Sequence, residues 1–383
     1  MRTFDAIVVG LGAHGSAAAA VLARRGLTVL GLERFARGEE MGSSGGRSRM
    51  IRLANFEDPA YVPMALASWD RWRALEAESS TDILTVTGGL YAGPSDSRPV
   101  RGSIRSAEEH GLEHEVIDAD EIHRRWPVFE LAPGTIGLLE ERAGTLRSDR
   151  AIGAHLAIAE RHGATLEFDQ RVVDWRAVRG GGFEVETDDG AVAGAAHLVL
   201  TAGAWLGSLV PDLRLPLQVE RESVCWFTPT VDAASIGADR MPMWVVSSGG
   251  QAYYGFRHDP ELGLKVSIHH WGVYVDPDAV DRVVGPADEE RVRAFVRAQM
   301  PAANGPLSAT KVCLYTNTPD EAFVIDRHPA APGVAYASAC SGHGFKYAPL
   351  VGEILADLAV TGETSWPIGS FRRDRFSEAG RSA

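Results

Sequence analysis

The segment Gly42 to Arg52 reads GSSGGRSRMIR and combines flexible glycines with Arg47, Arg49 and Arg52. Fixed cations of this kind bind anions, and the planar guanidinium fork suits a carboxylate or phosphate. Alone, Arg47 reads as a basic surface residue, while Arg49 and Arg52 gain weight only alongside other parts of the chain. From Leu264 to His269 the residues alternate, so Leu264, Val266 and Ile268 face one way and Lys265, Ser267 and His269 the other. That polar row either meets water or lies over a cofactor. Cys313 sits in a second alternating run, Lys311 to Thr316 (KVCLYT), where a lone cysteine ordinarily counts as a small apolar core residue. Ser341 to Lys346 (SGHGFK) has the form of a loop opening a helix. The free N–H groups of such a helix start favour a negative group, and a lysine there is locally unfavourable. Lys346 there points either to a specific anionic partner or to a helix that starts later.

These side chains need elements to hold them, and the clearest stands at the start of the chain. Phe4 to Val9 reads as a strand, Gly10 to Gly15 as a tight turn, Ser16 to Arg25 as a helix and Leu27 to Leu32 as a second strand. Gly10, Gly12 and Gly15 form Gly-x-Gly-x-x-Gly in the strand-to-helix context that gives the motif meaning. The glycines let backbone approach a pyrophosphate, and the helix dipole stabilises its charge. Glu33 ends the second strand, where a carboxylate accepts hydrogen bonds from ribose hydroxyls and repels a 2′-phosphate. FAD or NAD is favoured over NADP, and the motif does not choose between them.

Asp58 to Ser79 carries apolar residues at helical spacing, Ser148 can cap a helix running to His162, and Thr165 to Val172 and Gly182 to Thr187 look like strands. His197 to Thr201 suits a strand buried on both faces. Leu217 to Ser308 changes to aromatic-rich alternating strands with one acidic helix near Ala287 to Gln299. The end repeats the opening theme, with a strand from Val334 to Ala339, a turn at Gly342 and Gly344, and a helix from Pro349 to Thr361. The expected fold is α/β (α+β): a discontinuous Rossmann-like dinucleotide-binding domain (1–55, 146–216 and 311–383) and a second, mostly antiparallel β-sheet substrate domain (56–145 and 217–310).

A formal charge of −13 disfavours nucleic acid and anionic membrane as partners. The three cysteines make neither a disulfide framework nor a Cys-x-x-Cys pair, which fits a reducing cytoplasm. The apolar opening is broken by glycines and lacks a basic leader cluster, so neither a signal peptide nor a membrane span is expected. No zinc-type HExxH pair, Gly-x-Ser-x-Gly elbow or Walker lysine loop occurs. His269 and His270, adjacent on a strand, should face opposite sides, and no metal site is expected.

The stretches FDAIVVGLGAHG, GSSGGRSRMIR, YVPMAL, TAGAW, YYGF, LGLKVSIHH, CLYT and SGHGFKYAP, in this order, resemble the monomeric sarcosine oxidase and N-methyltryptophan oxidase family, within the FAD-dependent amino acid oxidases. The resemblance implies FAD attached by a thioether to Cys313, with Lys265 beside the flavin where oxygen is activated. Arg49 would lie against the flavin, with Arg34 and Ser43 among the cofactor contacts. Arg52 and Lys346 would grip the substrate carboxylate, and Tyr254, His269 and Tyr315 would line the substrate pocket. Two positions depart from the family pattern: Gly45 stands where the family has a histidine beside the flavin, and Val245 where the sarcosine enzymes have a pocket methionine. The implied reaction oxidises a secondary amino acid (N-methyl, N-alkyl or cyclic) to an imine and reduces molecular oxygen to hydrogen peroxide, in a monomer. The competing readings are a flavin dehydrogenase with a different acceptor, and a non-catalytic dinucleotide-binding redox module.

Overall fold

The computed structural model describes residues 1–376, so the stretch 377–383 of the expected C-terminal segment lies outside the described residues. The opening pattern folds as its periodicity requires. Arg2–Val9 pairs in parallel with Val29–Leu32 on one side and with Val192–Leu200 on the other. Beyond these, Thr165–Glu167 and Val334–Ser338 extend the parallel sheet. Alternate residues of the first strand enter different cores. Ala6 and Val8 pack with the helices Ala13–Arg24, Ser148–Arg161 and Ala348–Val360, whereas Ile7 and Val9 pack with the hairpin Val172–Ala177/Phe183–Thr187. The helices approach closely because their contact is built from small residues: a Cβ on Gly352 would stand 2.6 Å from that of Ala17.

A second eight-stranded sheet is mostly antiparallel and joins Leu307–Asn317, Gln218–Phe227, Leu264–His269, Gln251–Gly255, Met243–Ser248, Gly89–Gly93, Ile136–Glu140 and Glu115–Asp118 in that spatial order. One pair in it, Met243–Ser248 with Gly89–Gly93, is parallel. A small third sheet of Ser48–Ile51, Gly144–Arg147 and Leu84–Val86 holds the arginine segment. The expected fold class is borne out.

Local departures have local reasons. The strand expected over Thr165 to Val172 is two strands, Thr165–Glu167 and Val172–Ala177, separated at Asp169, whose φ is +56. Ser148 does not cap its helix. It is the first helical residue, and its buried hydroxyl has no partner. The helix expected from Asp58 opens as a 3₁₀ turn, Pro59–Tyr61, with the Asp58 carboxylate accepting from the Ala60 N–H, before Val62–Ser79 continues as α-helix. Leu307–Asn317 crosses the expected domain boundary at 310/311 and pairs with Gln218–Phe227 along that length, so Cys313 stands on the second sheet.

Candidate active site

Strand register gathers the chemistry. Directly opposed residues on paired strands share a face, as do residues two apart on one strand. The register therefore aligns Lys311, Val224, Ser267, Tyr254, Val245 and Tyr91 in one row across six strands. Cys313 and Tyr315, Lys265 and His269, and Glu220 and Glu222 flank that row on the same face. A cavity of roughly 500 Å³ lies against this face and runs to the opening glycine turn. Gly10, Gly12, Glu33, Arg34 and Ser43 line its nucleotide end, and Arg49, Arg52, Val245, Tyr254, Lys265, His269, Cys313, Tyr315, Gly342, Gly344 and Lys346 the other. Gly15 lies beneath the turn: a Cβ there would be 1.8 Å from the Gly10 carbonyl oxygen, so only glycine permits this helix-to-strand contact.

The nucleotide end fits FAD. The helix Ala13–Arg24 has no side-chain cap at Gly12, and a Cβ at Gly12 would meet only Ser44 Oγ at 3.7 Å, leaving backbone open to an approaching phosphate. Glu33 accepts from the N–H groups of Leu11 at 2.8 Å and Phe35 at 3.2 Å. Burial pushes its carboxyl up, and those N–H bonds counter the rise. Arg34 pairs with Asp278 at 3.0 Å and lies over the Trp205 ring. Arg49 donates to the carbonyls of Ser43, Gly45 and Ser48, which fixes the loop around its own guanidinium. Cys313 Sγ lies 3.7 Å from the Gly45 carbonyl. Lys311, paired with Glu40, reaches over Gly45, where a Cβ would come within 3.3 Å of its Cε.

Lys265 is buried rather than in water. Its Nζ donates to Gly46 O at 2.9 Å, Ser48 O at 3.1 Å and Ser48 Oγ at 3.0 Å, between the rings of Phe256 and Trp226. Burial, then the nearby Arg49 charge, pulls this ammonium down to about 7. Arg47, by contrast, is a surface residue paired with Glu261.

Arg52 is only 4 % exposed and ion-pairs with Glu57, with Asn55 Oδ1 at 3.3 Å and the Phe56 ring beneath it. Burial works against its charge, yet Glu57, with Tyr91 and Tyr347 behind it, outweighs that and raises it above the ordinary value. The Lys346 Nζ donates to the His343 carbonyl at 2.7 Å, and burial, then Arg52, pulls it well down. Lys346 lies in a 3₁₀ turn, Phe345–Tyr347, ahead of the helix Ala348–Val360. Arg52 thus pairs with the buried Glu57 carboxylate, and Lys346 acts on it electrostatically without a direct contact. Glu57 went unnoticed in the sequence, because a carboxylate five positions after an arginine carries no pattern until both are buried. Glu140 was also missed. Its carboxylate accepts from the N–H groups of Leu53 and Ala54 and from Tyr91, and so fixes the backbone that follows Arg52.

Tyr254 and Tyr315 are half-buried phenols that line the cavity. Burial, then Glu222, pushes Tyr254 up to about 12, and burial, then Tyr254, raises Tyr315. Both remain hydrogen-bond donors at neutral pH. Tyr315 Oη lies 3.5 Å from His269 Nδ1. Gly342, at φ +76, is required here because a Cβ would stand 2.6 Å from both the His269 and Tyr315 rings. His269 and His270 do not face opposite sides. The strand ends at His269, and His270 at φ +62 turns its ring back to 4.2 Å from that of His269.

A dinucleotide cavity closed by a polar sheet face defines a cofactor-dependent oxidoreductase, and residues 5–358 match the model of the FAD dependent oxidoreductase family, so the chain belongs to that family. It is 40 % identical over 381 residues to a monomeric sarcosine oxidase of Streptomyces avermitilis, covering 98 % of this chain and 99 % of the relative. An N-methyl-L-tryptophan oxidase of Salmonella enteritidis PT4 is 32 % identical over 378 residues, 98 % of this chain and all of the relative. Among solved structures, NikD, an unusual amino acid oxidase essential for nikkomycin biosynthesis, superposes with a TM-score of 0.85 at 25 % identity, covering 97 % of this chain and 98 % of that one. The resemblance read from the motifs is borne out, and the protein is an FAD-dependent enzyme of the sarcosine oxidase type.

Proposed function

We propose that this protein oxidises the C–N bond of a secondary amino acid, N-methyl, N-alkyl or cyclic, to an imine and reduces molecular oxygen to hydrogen peroxide. The observation that carries the reading is the convergence of Arg52 and Lys346 at the end of the cavity where His269, Tyr254 and Tyr315 also lie. In this reading the two cations bind the substrate carboxylate, which competes with Glu57 for Arg52. That anchor fixes where the amine stands, and position supplies a large part of the rate. Tyr254, Tyr315 and His269 border the amine, and Val245 shapes the side taken by its substituent. FAD, when bound along Gly10, Gly12 and Glu33, would supply the two-electron redox chemistry that links amine oxidation to oxygen reduction. Lys265 and Arg49 put positive charge beside the place where negative charge develops. Cys313 is the attachment point in this reading, its strand bringing the thiol to the cavity wall. Hydrolysis of the imine from an N-methyl substrate yields formaldehyde and the primary amino acid.

In the same reading FAD belongs to the parallel-sheet domain and the substrate to the second sheet, with the C-terminal boundary placed after Asn317 because Leu307–Asn317 is paired throughout in the second sheet. The three free cysteines support a cytoplasmic setting, the likeness to a monomeric sarcosine oxidase supports a monomer, and among the described residues no helix is long and apolar enough to cross a membrane. The test is a visible spectrum before and after acid precipitation, followed by anaerobic addition of a panel of N-substituted and cyclic amino acids. A yellow pellet, lost in Cys313→Ala, with bleaching by a secondary amino acid and peroxide formed on adding air, is the expected result. Colour in the supernatant would reject the linkage, and failure of every amine to bleach the protein would reject the oxidase reading.

A further inference from the structure

The second sheet carries a buried acid that the proposed reaction does not use. Glu220 lies opposite Tyr315 and is 1 % exposed. It accepts from His270 Nδ1 at 3.1 Å, from the Asn317 amide at 2.5 Å and from the Gly272 N–H. Burial works to raise this carboxyl, but the His270 ring and the other donors carry it below the usual range, so Glu220 is an anion. His270 reaches solvent with about a quarter of its side chain (24 %), whereas His269 lines the cavity. The left-handed backbone at His270 is uncommon for a residue with a Cβ. It is what puts the ring on Glu220 and against His269, with Tyr315 edge-on to both rings at 5.5 and 5.8 Å.

We propose that the hydrogen-bonded Glu220–His270 pair is a positioning device that holds His269 neutral at the pocket wall, with its Nδ1 turned to Tyr315. Two imidazoles 4.2 Å apart do not both carry a proton readily, and of the two only His270 has a carboxylate hydrogen-bond partner. Burial first, and His270 next, pull His269 well below its ordinary value, and His343 and Arg52 act in the same direction against Glu57. The other ionisable groups nearby are Glu222, on the Glu220 strand and itself pushed up by burial and by Glu220, and the phenols Tyr254 and Tyr315. None of these offers His269 a carboxylate hydrogen bond. A neutral His269 can share a proton with a bound amine, and an imidazolium there would repel Arg52 and an ammonium substrate alike. This inference rests on the reading that the Arg52 end of the cavity takes the amino acid.

Histidine nitrogen NMR of the substrate-free holoenzyme tests it, with the resonances of His269 and His270 assigned by their loss in H269N and H270N. Asparagine tolerates the left-handed backbone, so H270N removes the imidazole with little change of chain path. The expected result is that His269 stays neutral in the wild type through mildly acid pH. In both H270N and E220Q its protonation midpoint rises, by about one pH unit or more in H270N. The affinity for acetate, read from the perturbation of flavin absorbance, should acquire in H270N a pH dependence with the same midpoint. A His269 midpoint unmoved in folded H270N would overturn the proposal, and so would a wild-type His269 that titrates at its ordinary value. If E220Q does not fold, H270N decides alone. The titration needs no turnover, so a wild type that no amine bleaches would reject the oxidase reading and leave this result standing.

Discussion

Lys265→Met should stabilise the cofactor-free protein below neutral pH while slowing its reaction with oxygen when FAD is bound. Lys265 is 3 % exposed, and burial lowers it from 10.5 to about 7. Between those values the folded protein binds fewer protons at this site than the unfolded chain, so stability rises with pH across the window and is lowest below pH 7. A shift of that size corresponds to a cost of about 5 kcal/mol at pH 6, of which about 2 kcal/mol remains at pH 9. Methionine removes the cost but leaves the carbonyls of Gly46 and Ser48 without a donor, a loss of about 1–3 kcal/mol that does not vary with pH. The variant's advantage should therefore shrink by about 3 kcal/mol between pH 6 and pH 9. At about 2 °C per kcal/mol for a chain this long, that is roughly 6 °C in the difference between the two melting temperatures. The assay is calorimetry of wild type and variant, both produced under flavin limitation, across that pH range. Melting curves that run parallel would refute the buried-ammonium argument. With FAD bound, stopped flow should show reoxidation slowed far more than amine oxidation, and equal slowing of both steps would refute the oxygen role.

Arg52→Ala removes the partner of a buried carboxylate, so it should lower stability by about 3–5 kcal/mol and raise Kd for acetate, measured by denaturant unfolding and flavin-absorbance titration. An unchanged acetate affinity would remove Arg52 from the carboxylate site. Glu57→Gln keeps the shape and releases Arg52, and should tighten acetate binding by roughly tenfold, about 1.4 kcal/mol, with unchanged affinity counting against the competition between Glu57 and substrate. His155 lies within the helical core with both ring nitrogens unpartnered, and burial, then Arg24, pulls it down to about 3. Its folded form stays neutral while the unfolded chain protonates, so stability falls as pH drops through 6.5. By pH 5 the loss from this residue is about 2 kcal/mol. His155→Leu should flatten that part of the acid-stability profile, and a variant as acid-sensitive as the wild type would contradict the assignment.

What the sequence disclosed is what local pattern encodes. Gly10, Gly12, Gly15 and Glu33 announce their site because a pyrophosphate turn is made by consecutive residues. The alternation from Leu264 to His269 places Lys265 and His269 on one face because a strand has a period of two. Which face looks at the cavity is a matter of register, and register is a property of pairs: nothing near Cys313 says that it will stand opposite Glu222, or that Tyr315 will stand opposite Glu220. The same limit hid Glu57, whose role depends on burial beside Arg52 and Lys346, residues brought together from different segments of the chain. His270 illustrates a second limit. Alternation predicts its direction only while the strand continues, and a single left-handed residue at the strand end reverses the inference. The side chains that bear charge into this cavity were therefore legible by type. The counter-charge of Arg52, Glu57, and the carboxylate partner of His270, Glu220, became legible only in the folded chain. Because burial makes an unpaired charge costly, those partners decide which groups are ionised, and with that how the site responds to pH.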